Sequence, residues 1–397
     1  MNVFLSTTSP FPLILAIFLV SLLVVLGAAA WFTRRLEALC DRLDLSAGML
    51  SILGALGANI PNYVASIVAI ANGQQDLGLG IIIGSNIYNL AIILGISAVA
   101  APGSHGIRLQ LKEKQDVVTI AYYALAITVA SLVAIWLLPG TTFINGIHAF
   151  YQHSGARLPS RVGAGVVLRG VGTLASPCCT TVGTLASPLV EPIYVSLSSP
   201  IPLIIAIILT IAIFISLVLH IVRRSHPPHT EATVKQEVTL KTTPSLLRRL
   251  IAEIVLALVI ALGGVIVMVQ SGQQLTADLH MPAVLAGLLV LAVATSLPNT
   301  VVAVILVRTD RVAACVEEIF SSKSINAALG IALPLLLWRT LLQDHLLLLL
   351  DGPFIIVLTL GIIVCIRIGR VNRVVGLLLL LSYAVWVGLH LLVNVSL

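Results

Sequence analysis

Charge is scarce in this chain. Asp, Glu, Lys and Arg make up 10% of its 397 residues, where a soluble domain carries roughly a quarter. Hydrophobic residues make up 58%, with the aromatics among them only 5%. So little charge excludes a solvent-covered globule, and the mean hydropathy of +1.09 points to a chain whose outer surface is lipid. There are five cysteines, Cys40, Cys178, Cys179, Cys315 and Cys365, with no C-x-x-C spacing. A disulfide framework and a cysteine-based zinc site are thereby excluded, although the vicinal pair Cys178–Cys179 can oxidise. No Walker loop, H-E-x-x-H or G-x-S-x-G motif occurs, so the reading is not an enzyme. The formal charge of +6 suits basic cytoplasmic loops and gives no reason to expect nucleic acid as a partner.

Long apolar runs are abundant. Ten are long enough to span a bilayer, which takes ~17–25 residues: 11–32, 46–71, 77–100, 116–138, 201–222, 249–270, 281–307, 315–338, 353–369 and 374–395. The first lacks a basic leader and is followed by Arg34 and Arg35, so it reads as an uncleaved anchor rather than a signal peptide. The fold class is all-α: a multi-pass membrane protein of about ten helices in two inverted five-helix repeats. With both termini outside, 17 of the 22 Lys and Arg residues fall in inner loops, which is the expected bias for a protein of the cell membrane. The first repeat covers 1–222 and the second 249–397, with a cytoplasmic loop at 223–248.

A motif occurs twice. Pro61-Asn62-x-Val64 returns as Pro298-Asn299-x-Val301, and Ser85-Asn86-x-x-Asn89 returns as Ser322-Lys323-x-x-Asn326. Every pair is offset by the same 237 residues. The first copy lies within 46–100 and the second within 281–338, in spans of opposite predicted orientation. Pro and Asn are expensive in lipid unless they face protein or a water-filled cavity. Duplicated, Pro-interrupted spans in matching places of two halves are the pointer to a transporter's binding site.

Two stretches lie outside this pattern. Residues 139–200 hold a tandem repeat, Val171 to Pro177 and Val182 to Pro188, read as an outer insertion without chemistry. The polar stretch around His226, Pro227, Pro228 and His229 reads as a linker, since two loop histidines without acidic or cysteine partners are a poor metal site.

Gly57-Ala58-Asn59-Ile60-Pro61-Asn62, then Asp76 and Gly84-Ser85-Asn86-Ile87-Tyr88-Asn89, resemble the first alpha-repeat of the sodium/calcium exchanger superfamily of cation/calcium antiporters. Ala294-Thr295-Ser296-Leu297-Pro298-Asn299 and Ser321-Ser322-Lys323-Ser324-Ile325-Asn326 resemble the second, and Gly369, Arg370, Arg373, Gly376 and Tyr383 resemble the family's closing helix. The resemblance implies alternating-access antiport. Four helices broken near the motifs would hold Na+, H+ or Ca2+ as transported ions, with no resident cofactor or metal. It places the ion or substrate site at Ala58, Asn59, Asn62, Ser85, Asn86, Thr295, Ser296, Asn299, Ser322 and Lys323. The partners implied are the lipid bilayer and small inorganic ions or another small solute.

The chain departs from the family at the site itself. The family's Glu after each Pro is Asn here, at Asn62 and Asn299, and Lys323 stands where the second Gly-Ser-Asn motif carries Asn or Asp. Calcium takes 6–8 oxygen ligands, usually with carboxylates among them. A site of neutral amides and hydroxyls beside an ammonium is therefore expected to reject high-affinity calcium. Two readings of Lys323 stand. In one its ammonium occupies a transported cation's place, bonded to the Asn carbonyls, and it can release a proton in the cycle. In the other it snorkels to the inner surface beside Glu317 and Glu318. A non-transporting relative with a structural, sensing or partner-binding role is the alternative function. Lesser expectations are hydrogen bonds between helices for Asn89 and Asn326, packing for Tyr63 and Tyr88, helix capping for Asp76, and a surface ion pair of Glu253 with Arg248 or Arg249.

Overall fold

The computed structural model describes residues 10–43, 47–101, 106–107, 109–138, 201–224, 244–308, 311–338, 346–369 and 371–395. The 139–200 insertion with its Cys178–Cys179 pair, and the histidines of the 223–248 loop, lie outside the described residues. Among the described residues, nine helices are long and apolar enough to cross a membrane, and a bent pair makes ten. The molecule is an all-α multi-pass membrane protein.

Span one is Phe11–Arg42. Span two is the bent pair Ala47–Ala58 and Ile60–Ala71. Spans three to five are Gln75–Ala100, Leu111–Trp136 and Ile201–Arg224. Span six is Pro244–Asp278. Spans seven to nine are Ala283–Arg308, Val312–Leu337 and Leu347–Ile368, and span ten is Arg373–Val395. Each of the ten expected runs carries a helix among the described residues. Several helices run past the apolar stretch because Leu, Arg and Lys continue a helix well outside the hydrocarbon.

Local chemistry sets several ends. Gly73 at φ 81° turns the chain between spans two and three, a backbone that favours glycine. Gln110 and Glu113 form a capping box at the start of span four, satisfying otherwise orphaned N–H groups. Asp76 lies in the first turn of span three, where the helix dipole favours a carboxylate.

Spans three and eight form the centre. Of their most apolar windows, 89% and 83% are buried, against 22% for spans five and ten. Leu23, Val357 and Leu392, on spans one, nine and ten, are each more than two-thirds exposed, as lipid-facing side chains are. Close approach at the centre needs small residues. A Cβ on Gly84 would come within 2.5 Å of the Leu288 carbonyl, and one on Gly287 within 2.5 Å of the Leu77 carbonyl. Spans three and seven therefore cross backbone to backbone.

The expectation of four broken helices is corrected. Among the described residues only span two is interrupted, bending by 48° at Asn59. Pro61 has no N–H to return to the preceding turn, and Asn59 sits at φ −93°, ψ 0° between the two helical pieces. Pro298 lies inside the continuous helix Ala292–Arg308. The other disturbances are π-turns at Asn89–Ile93, Ala286–Leu291, Ala328–Ala332 and Leu347–Asp351. A π-turn accommodates an extra residue without a break and is frequent at functional sites.

Candidate functional site

The break in span two places Asn59 among spans seven and eight. Its Oδ1 accepts hydrogen bonds from Asn62 Nδ2 at 3.1 Å and Asn299 Nδ2 at 2.7 Å. Its Nδ2 donates to the Ala55 carbonyl at 2.6 Å and to Ser322 Oγ at 2.7 Å. Ser322 in turn donates to Glu318 Oε1 at 2.7 Å. Polar side chains separated by 240 residues thus share one hub, and both motif asparagines and Asn59 are fully buried.

The other expected site residues are buried too, but they are not all turned to this hub. Ser85 Oγ contacts the Ala292 carbonyl of span seven at 3.5 Å. Thr295 Oγ1 donates to Leu291 O of its own helix at 2.7 Å. Asn86 Oδ1 accepts from Asn326 Nδ2 at 3.2 Å, bridging spans three and eight. Ala58 offers only its backbone and is 1% exposed.

Several acceptors are left without a partner among the described residues. They include Asn62 Oδ1, Asn299 Oδ1, Ser296 Oγ, Asn326 Oδ1 and Glu318 Oε2. Once their amide N–H groups point to Asn59, the carbonyl oxygens of Asn62 and Asn299 face away from it. Unpaired buried acceptors are costly. Oxygen acceptors without donors are what a cation or a proton satisfies.

Glu318 changes the charge of the site. The sequence reading has a centre without negative charge and, in one of its two readings of Lys323, sets Glu317 and Glu318 beside that residue. Instead Glu318 is 3% exposed and joins Ser322 in the hub. Four residues apart, the two share a helix face, whereas Lys323 lies about 140° around the helix from Glu318. That spacing was visible in the sequence. Glu317 pairs with Arg224 of span five at 2.9 Å, and Arg224 also binds Asp116 of span four at 2.7 Å.

Both readings of Lys323 need correction. It is fully buried, so it does not snorkel to a surface, and none of the ion pairs among the described residues includes it. Nor does it donate to the Asn62 or Asn299 carbonyl, since neither has a partner. Its ammonium donates to Thr359 Oγ1 of span nine, and that hydroxyl donates to the Ile355 carbonyl. The physical reason is angular: Lys323 projects about 100° around span eight from Ser322, the hub's contact on that helix, and reaches span nine instead.

The lesser expectations divide. Asn326 bridges helices as expected, but neither side-chain atom of Asn89 has a partner among the described residues. Glu253 pairs with Arg249 at 2.9 Å and, unexpectedly, with Arg35 of span one at 2.7 Å. Tyr88 packs edge-on against Tyr383, with ring centroids 5.9 Å apart, and its hydroxyl accepts from Thr300. Tyr63 packs against the main apolar core.

Comparison with known proteins agrees with this architecture. CaxA of Alkalimonas amylolytica is 45% identical over 60 residues, which is 15% of this chain and 18% of CaxA. Inner membrane protein YrbG of Escherichia coli is 37% identical over 60 residues, covering the same shares. Sodium/calcium exchanger MaX1 of Methanosarcina acetivorans is 28% identical over 87 residues, 22% of this chain and 25% of MaX1. The aligned segments thus span a quarter or less of these relatives. The solved structure of the sodium-calcium exchanger NCX_Mj, soaked with 10 mM Na+ and no Ca2+, superposes with a TM-score of 0.56 at 17% identity. That match covers 96% of this chain and 99% of the other, and it establishes a shared fold. The sequence matches the sodium/calcium exchanger protein family over residues 13–171 and 250–392, well over half of its length. The chain belongs to the sodium/calcium exchanger protein family.

Proposed function

We propose that this protein is a secondary antiporter that carries a monovalent cation or a proton through the Asn59 hub by alternating access, and that it does not bind calcium tightly. The observation that carries this reading is the pair of buried carbonyl oxygens on Asn62 and Asn299, freed because both amide N–H groups converge on Asn59. Glu318 adds a single carboxylate through Ser322. One carboxylate with several neutral oxygens suits a monovalent ion. A calcium ion draws 6–8 oxygens and gains affinity with each added ligand charge. When it carries its proton, the buried Lys323 amine opposes a dication twice as strongly as a monovalent ion.

The 237-residue repeat and the distribution of Lys and Arg support two inverted five-helix halves, with both termini outside the cell membrane. In this reading the two motif copies line a common path, and rocking of the halves exposes the hub to one side and then the other. The solute exchanged against it is a small inorganic ion or another small solute.

Flux in vesicles of the purified full-length chain tests this. A sodium or pH gradient is expected to drive flux that Asn62→Ala combined with Asn299→Ala abolishes. Sodium is also expected to raise the melting temperature of the detergent-solubilised protein, and Glu318→Gln, which keeps the Ser322 bond, is expected to erase that rise. No flux of any cation, with melting unmoved by sodium, calcium or acid, would establish the non-transporting alternative. Restoring charge by Asn62→Glu, Asn299→Glu and Lys323→Asn together should create calcium-dependent stabilisation. Without that response, the two asparagines do not share an ion site.

A further inference from the structure

A second cluster of buried polar side chains lies apart from the hub, where spans nine and ten meet. Asp351 ends the π-turn Leu347–Asp351 at the start of span nine and is 0% exposed; His390, near the end of span ten, is 1% exposed. Asp351 Oδ1 accepts from Trp386 Nε1 at 2.7 Å and lies 3.2 Å from His390 Nε2. The other imidazole nitrogen, Nδ1, lies 3.1 Å from the Trp386 carbonyl oxygen. Asp351 Oδ2 has no partner among the described residues.

We infer that Asp351 and His390 form a proton-binding site joining spans nine and ten. The argument is a count of hydrogens. A carbonyl oxygen and an ionised carboxylate only accept, and a neutral imidazole carries one N–H. With a carboxylate on one side and a carbonyl on the other, a neutral ring leaves one lone pair pressed against an acceptor, whichever tautomer it takes. One added proton removes the conflict. Placed on the ring, it gives an imidazolium that donates to Asp351 and to the Trp386 carbonyl. Placed on the carboxyl, it gives an acid that donates to Nε2. Both arrangements bind one proton and are net neutral, as a site shut off from water requires.

Among the described residues, the surroundings supply no other counter-charge. Span ten contributes Tyr383, and span four packs Leu132 against Gly352 with no ionisable residue between Tyr123 and Trp136. Span three carries Asp76 and Tyr88. Span eight contributes Lys323, which reaches span nine at Thr359, two turns beyond Asp351.

The site also touches the hub through packed rings. The Trp386 ring lies 5.4 Å from that of Tyr383, Tyr383 meets Tyr88 edge-on at 5.9 Å, and Tyr88 accepts from Thr300, the neighbour of Asn299. Protonation that sets the Trp386 position therefore bears on the span carrying Asn299. This coupling rests on the antiport reading; the proton site itself does not.

Full-length protein labelled with 15N-histidine, in lipid nanodiscs, gives the test. The ring signals of His390 are identified by their loss in His390→Gln and followed between about pH 5 and 8. The expected result is a ring with both nitrogens protonated, or a ring whose Nε2 accepts a proton shared with the carboxyl, and a titration that Asp351→Asn displaces by at least tenfold in proton affinity. A neutral ring with one bare nitrogen across the whole range, unaltered by the Asp351 substitution, overturns the inference. Should Asp351→Asn not fold, Trp386→Phe removes only the indole donor from Oδ1 and is expected to shift the same titration; no shift there counts against the site. In vesicles, His390→Gln is expected to flatten the pH dependence of flux. Wild-type protein without flux defeats the antiport reading, while the ring titration still decides the proton site.

Discussion

Asn59 in the first motif copy and Ser296 in the second occupy corresponding places, offset by 237 residues. Asn59 makes four side-chain hydrogen bonds, whereas Ser296 Oγ has no partner among the described residues. One helix away the unpaired side chain belongs to the first copy instead. Asn86 is bonded to Asn326, while the counterpart contact, Lys323 with Asn89, is not made: Lys323 turns to Thr359 and Asn89 is left unpaired among the described residues. Two copies of one motif have therefore diverged in role. Asn59 of the first copy is the hydrogen-bonded frame, while open acceptors come from both copies, Asn62 Oδ1 from the first and Asn299 Oδ1 and Ser296 Oγ from the second.

The contrast is broken most severely at the hub. Asn59→Ala strands the amide groups of Asn62 and Asn299 in a dry interior, at about 1–3 kcal/mol for each buried donor left unmet. A fall in stability of about 3 kcal/mol is expected, read as a large drop in melting temperature together with loss of flux. Lys323→Met comes next. Taking the ammonium to lie roughly 10 Å from the bound ion, with an effective dielectric of about 20, its repulsion amounts to about 1.7 kcal/mol. Sodium-dependent stabilisation is then expected at roughly tenfold lower concentration, measured by thermal titration. Unchanged sodium dependence would place the ion elsewhere.

Arg224→Gln has a smaller expected effect. It releases Asp116 and Glu317 at one end of spans four and eight, and partly buried pairs at a helix end contribute about 1 kcal/mol. A modest, salt-sensitive drop in melting temperature is the outcome to look for. Ser296→Ala is expected to leave stability within about 0.5 kcal/mol, because no bond is lost, while weakening cation-dependent stabilisation. A stability loss as large as that of Asn59→Ala would erase the distinction between the two copies.

Much of the fold was legible in the sequence because hydropathy needs only composition and length. Helix ends were less so: span six was expected at 249–270 and runs Pro244–Asp278, since its polar ends are helical without being apolar. The repeat singled out Asn62 and Asn299, since a duplicated Pro-Asn in lipid has few structural excuses. The structure brings both onto Asn59, which entered the reading only through the family resemblance. Directions were harder. Glu318 and Lys323 are neighbours in sequence, yet they face different partners across the helix, and only counting degrees around span eight separates them. Asp351 and His390 were missed because each stands alone in a leucine-rich run, 39 positions apart, with nothing to signal their meeting.

The π-turns have a consequence for how these helices respond to insertion and deletion. Each holds one surplus residue, so side chains beyond Asn89–Ile93 are out of phase with those before it by about 100° relative to an unbroken α-helix. Removing a single residue from that turn would let span three relax into regular α-helix. Everything from Leu94 to Ala100 would then swivel against span ten, where Gly95 and Gly376 now approach closely. The bulge thus fixes the azimuth of one half of the helix relative to the other, a setting that substitutions alone leave untouched.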